Sequence, residues 1–112
     1  MTDREMLELA AKAAGLEFND KRSPTGSIAL YCPMEGWWDP LTNDGDALRL
    51  AVKIWICLDI EGEAICASVY KARPENCIHV HEREFNDMAA ATRRAVTRAA
   101  AEIGKSMEDT NA

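Results

Sequence analysis

Two stretches of this chain hold residue types that could do chemistry. The first runs Asp39-Pro40-Leu41-Thr42-Asn43-Asp44-Gly45-Asp46, and its three carboxylates near a helix start suit a hard cation. A calcium loop of the EF-hand kind needs its glycine at the sixth position, which sets Pro40 at the first and Ala51 at the twelfth, where carboxylates are required. The EF-hand reading fails, and a capped helix start accounts for the cluster. The second stretch is Cys77-Ile78-His79-Val80-His81, where three ligand-type side chains alternate with apolar ones as on one face of a strand. Same-face neighbours on a strand stand about 6.6 Å apart, and no fourth ligand for a tetrahedral zinc is evident. Histidines on a solvated strand face are the simpler account, so no metal or cofactor is expected. A small metal-dependent hydrolase using Asp39, Asp44, Asp46 or the His79 and His81 pair stays as an alternative. It lacks a nucleophile, base and oxyanion donor that could be assembled from the sequence.

Binding residues are easier to name than catalytic ones. Trp37, Trp38 and Asp39 lie in an extended segment before a helix, and tryptophan is the residue type most often found anchoring protein interfaces. At least one of the two tryptophans is expected in the core. Arg93, Arg94, Arg98 and Lys105 against Glu102 leave the last helix at +3, the one basic element of the chain. That helix could contact phosphates, although it carries no interleaved aromatic and a solvated face explains it more simply.

These side chains need elements to hold them. The first helix is expected from about Asp3 to Ala14, with Thr2 and Glu5 as a capping box, Met6, Leu9, Ala10 and Ala13 as the apolar stripe, and Gly15-Leu16 as a Schellman stop. Ile28 to Cys32 reads as a short strand broken by Pro33 to Gly36. Pro40 ends the extended Trp37-Trp38-Asp39 segment, and Thr42, Asn43 and Asp44 offer N-caps to a helix whose stripe is Leu48, Ala51, Val52 and Trp55.

A hairpin over 54–70 turns at Glu61-Gly62. Its preferred register sets Ile60 opposite Glu63 and Cys57 opposite Cys66, with free thiols expected on compartment grounds; a three-residue turn sets Asp59 opposite Glu63 instead. Both faces of this hairpin are partly apolar, so cover on both sides is expected. The last helix is expected from about Asp87 to Ile103, with Asn86 as N-cap, Val96, Ala99, Ala100, Ile103 and Met107 as its stripe, and Gly104 as its stop. So much alanine implies close packing onto the sheet or the first helix.

The fold class follows: α+β, a small three-layer α/β sandwich with an antiparallel central sheet and three helices, in one globular domain over 1–112 with a frayed tail from about 106. With 112 residues, 47% of them hydrophobic, the chain has material for one core and not two. A net charge of −6, dispersed along the chain, argues against nucleic-acid binding as the main activity. Absence of a signal-like N-terminus and of any long apolar run leads to an expected cytoplasmic, unprocessed protein with no membrane association.

Three stretches carry a resemblance: Thr2 to Gly15, Trp38 to Lys53 (Trp-Asp-Pro-Leu-Thr-Asn-Asp-Gly-Asp-Ala-Leu-Arg-Leu-Ala-Val-Lys) and Ala90 to Gly104. Together they resemble a family of small uncharacterised phage and prophage proteins with an α/β/α sandwich fold. The resemblance implies a phage or prophage gene and a bacterial host cytoplasm, and it does not extend to segments 17–37 and 71–87. The expected function is a non-enzymatic accessory protein that binds a host or phage macromolecule, in the first place a protein. Homodimerisation is compatible with that, because a small chain often completes its core by symmetry.

Overall fold

Thr2 opens helix α1 (Asp3–Ala13), its hydroxyl accepting the Glu5 N–H at 3.1 Å. The helix closes on a full Schellman motif: Gly15 takes φ +72°, Leu16 N–H reaches Ala11 O at 2.9 Å and Gly15 N–H reaches Lys12 O at 3.1 Å. Both ends are thus written in local chemistry. The computed structural model describes residues 1–61, 64–69, 78–83 and 87–111, without the side chains of 61, 64, 69, 78, 79, 81, 83 and 109–111.

Helix α3 (Met88–Asn111) is 24 residues long and runs through Gly104 instead of stopping there. Asp87 caps it, its carboxylate accepting the Ala90 N–H at 2.9 Å; Asn86, the expected cap, lies outside the described residues. Gly104 is buried against α1. A methyl group placed on it would overlap the Leu9 carbonyl oxygen and come within 2.8 Å of the carbonyl carbon. This glycine serves close helix approach, not helix termination. The helix continues past Ser106, and Lys12 Nζ meets Glu108 Oε1 at 3.0 Å.

The chain holds two antiparallel sheets among the described residues. Strands β1 (Leu30–Cys32) and β2 (Gly36–Trp38) pair as a hairpin, and β3 (Ile56–Glu61), β4 (Ala64–Val69) and β5 (Ile78–Arg83) form a sheet in that order. In the β3–β4 hairpin Glu61 pairs with Ala64, Asp59 with Cys66 and Cys57 with Ser68. The expected pairing of Cys57 with Cys66 is therefore off by two residues. A slip of two preserves which residues share a face, so hydrophobic alternation could not tell these registers apart. The observed one leaves Gly62 and Glu63 as the link and keeps Glu61 in the ladder, free of the positive φ that the other would force on it.

The fold is α+β, with three helices and a three-stranded antiparallel sheet among the described residues, but the layers stack as sheet, α3, α1. One side of α3, through Ala91, Ala95, Ala99 and Ile103, packs on Ile65, Ala67 and Val80 of the sheet. Val96 and Ala100 on another side join Leu7, Ala10 and Ala11 of α1 and its C-cap Ala14, with Leu30, Cys32, Trp38 and Leu50. Alanine lets one helix be buried on two sides. The far face of the sheet carries exposed Cys57 and Asp59, so the expected helical cover on both faces is absent among the described residues. Buried Thr97 keeps its hydroxyl satisfied by the Arg93 carbonyl at 2.8 Å.

Candidate protein-binding surface

Helix α2 (Asp44–Lys53) is where sequence and structure part most sharply. Asn43 caps it, its side chain accepting the Asp46 N–H at 2.9 Å. Asp46 then turns inward: one carboxylate oxygen accepts the buried Asp39 N–H at 3.0 Å and the other takes Arg49 at 2.7 Å. Asp39 in turn accepts from Leu41 N–H at 3.1 Å and from the Thr42 hydroxyl at 2.7 Å. The Asp39–Asp46 cluster is a structural latch that joins strand to helix, and its carboxylates are occupied by these bonds.

The latch fixes how far α2 is rotated about its axis. With Asp46 facing in, Ala47, Leu50 and Ala51 share its buried side and Ile54 follows at the helix end, half-buried. Leu48 and Val52 lie about 150° from the middle of that side at 100° per residue, and they face solvent, 65% and 70% exposed, as does Trp55 just past the helix end, 84% exposed. The expected stripe of Leu48, Ala51, Val52 and Trp55 thus packs only through Ala51.

Trp55 is unusual twice over. It is the sole non-glycine residue with positive φ among those described, at 61°, a conformation that costs a bulky side chain about 1–2 kcal/mol. It is also the most exposed tryptophan. Past it, β3 adds Leu58 and Ile60, both exposed at the sheet edge. Leu48 and Leu58 line a groove of about 320 Å³ together with Ala51, Ala89, Val96, Asp44 and Arg93. Leu48, Val52, Trp55, Leu58 and Ile60 are thus large apolar side chains left exposed on α2, on β3 and on the link between them.

The residues nominated from sequence lie elsewhere and are largely engaged. Trp38 is a core residue, 5% exposed, and Asp39 is buried beside it. Trp37 stays partly open, edge-on to Tyr31 with ring centroids 5.2 Å apart and with Lys21 Nζ nearby at 5.8 Å. Arg93 binds the Leu41 carbonyl at 2.9 Å and Asp44 at 2.6 Å. Arg94 meets Asp3 at 3.2 Å, and Arg98 meets Glu82 at 2.6 Å. These arginines fasten α3 to its neighbours. The structure therefore brings Trp38 and Asp39 into one core region, sets Trp37 apart at the β1–β2 hairpin, and distributes the arginines along α3. Leu48, Val52, Trp55, Leu58 and Ile60 were missed as a surface, although the spacing of the first three was visible.

His79 and His81 stand opposite Ser68 and Cys66 in the β4–β5 register; their side chains, and Cys77 entirely, lie outside the described residues. Among the described residues no group of three ligand-type side chains could hold a metal, and no helix is long and apolar enough to cross a membrane. Cys32, Cys57 and Cys66 are free thiols. Burial, with Glu35 and Asp46 adding to it, pushes the Cys32 thiol above its ordinary value of 9.0. The folded thiol holds its proton more tightly than the unfolded one, so this contribution to stability is intact below pH 9.0 and is lost as the pH climbs through the raised value. Iodoacetamide at pH 8 followed by peptide mapping should label exposed Cys57 rapidly and leave Cys32 unlabelled until the chain unfolds. Equal labelling of the two would contradict the burial of Cys32.

No protein-family model, curated protein or solved structure matches the chain.

Proposed function

We propose that the protein is a non-enzymatic binding module that works by docking another protein chain on the Leu48, Val52, Trp55, Leu58 and Ile60 surface, as an accessory protein of a phage or prophage in the bacterial host cytoplasm. The observation that carries the binding reading is Trp55, a large aromatic 84% exposed and held at φ 61°. Strained, exposed aromatics cluster at binding sites, and tryptophan leads the residue types that dominate interface energy. The phage setting rests on the resemblance of Trp38 to Lys53 and its companion stretches. A nucleic-acid reading through α3 gains nothing, since Arg93, Arg94 and Arg98 each have a carboxylate partner within the chain. A hydrolase reading gains nothing from Asp39 and Asp46, whose carboxylates hold the β2–α2 connection.

Trp55→Gly separates binding from folding. Glycine accepts the positive φ without penalty, and the relief offsets its larger unfolded-state entropy, so stability should stay within about 1 kcal/mol of wild type. Tagged wild-type chain recovered from infected cells should carry a stoichiometric protein, either another gene product or an untagged copy, that survives nuclease. Trp55→Gly should lose it. Retention of the same protein by the variant, or partners that vanish on nuclease treatment, would defeat this reading.

A further inference from the structure

We infer that the chain docked on this surface is a second copy of the protein, joined by antiparallel pairing of β3 with its own symmetry mate; this rests on the protein-binding reading above and names the partner. In the order β3-β4-β5, β3 has one edge without a strand neighbour among the described residues. Natural sheets blunt such edges with lysine, proline, bulges or inward-pointing charge. The strand Ile56-Cys57-Leu58-Asp59-Ile60-Glu61 has no lysine or proline, its two charged positions, Asp59 and Glu61, alternate onto the other side, and the side it shares with the buried face is Ile56, Leu58 and Ile60. It is an edge built to be paired.

The sequence of β3 also favours one register, the one that opposes the most aliphatic residues without opposing like charges. Directly opposed residues of an antiparallel pair share a face, so a two-fold axis must relate even positions to even and odd to odd. An axis at Asp59 sets two aspartates against each other, and one at Ile60 sets Asp59 against Glu61 twice, both repulsive. An axis at Leu58 pairs Leu58 with itself, Ile56 with Ile60 and Cys57 with Asp59, three aliphatic contacts with no like charges opposed. That register extends the sheet from three strands to six and places both copies of the α2 ridge on one face of it.

Area supports the same occupant. The exposed parts of Leu48, Val52, Trp55, Leu58 and Ile60 amount to on the order of 500 Å² of apolar surface, near the top of the range for the largest patch of a monomer. With the strand backbone added, each copy approaches the roughly 800 Å² per partner of a standard interface.

Sedimentation equilibrium on the purified full chain under reducing conditions tests this. Wild type should sediment as twice 12.4 kDa. Leu58→Lys, which sets two ammonium groups across the axis, should raise the dimer dissociation constant by about 100-fold or more while the circular dichroism is kept. Should Leu58→Lys fail to fold, Trp55→Gly, at an exposed position, gives the same readout. Wild type at 12.4 kDa up to about 100 µM, or a dimer untouched by either variant, overturns the self-pairing. In the monomer case the binding reading stands separately if the tagged chain still captures a different protein that Trp55→Gly releases.

Discussion

A Gly104→Ala chain should melt about 4–12 °C below wild type, a loss of about 1–3 kcal/mol in urea or thermal unfolding. The sign carries the information. In an ordinary helix interior alanine is favoured over glycine by about 1 kcal/mol, and Gly104 sits inside α3. Here the added methyl would meet the Leu9 backbone, which cannot rotate away as a side chain could. The two helices must separate, and the separation reaches Ala10, Ala11, Ala14 and Ala100 in the same core. Overpacking at a backbone contact outweighs the propensity gain. If Gly104→Ala instead stabilises the protein, α1 and α3 do not approach as closely as described.

The adjacent tryptophans should behave oppositely. Trp38→Ala removes a side chain 5% exposed from the cluster of Leu7, Leu30, Cys32 and Leu50, and should cost about 3–5 kcal/mol, or about 12–20 °C in melting temperature. Trp37→Ala loses one edge-on contact with Tyr31 and a distant lysine, worth about 1 kcal/mol. Chemical denaturation of the two variants side by side decides the matter. Comparable losses would mean that Trp37 is more deeply packed than its 38% exposure indicates.

Much of the local structure was readable because it is made by local chemistry. Thr2 and Glu5 at one end of α1 and Gly15-Leu16 at the other, Asn43 before α2, and the turn after Cys32 each depend on residues within a few positions. The buried side of α3, with Val96, Ala99, Ala100 and Ile103, was likewise visible in its period. Gly104 misled because a glycine near a helix end has two uses, and only the neighbour across from it tells them apart.

The exposed apolar side chains of α2 and β3 were not legible as a surface, and α2 shows why. Its sequence carries two apolar stripes at helical spacing, Ala47-Leu50-Ala51-Ile54 and Leu48-Ala51-Val52-Trp55, and the second has the larger side chains. Hydrophobicity alone favours burying the second. The bond from Asp39 N–H to Asp46, across seven residues and dependent on where β2 lies, pins the helix so that the first goes in. The β3–β4 register shows the same limit, since a slip of two leaves every residue on its face and only the turn and the paired strand distinguish the choices. What the sequence determined by itself was which segments become helix or strand and how they start and stop, because caps and periodicity act over one or two turns. What the tertiary structure decided was which face of α2 meets the core, and with it that Leu48, Val52 and Trp55 stand in solvent, because that choice rests on contacts between elements brought together by folding, the Asp39–Asp46 bond and the packing of Leu50 and Ala51 into the core.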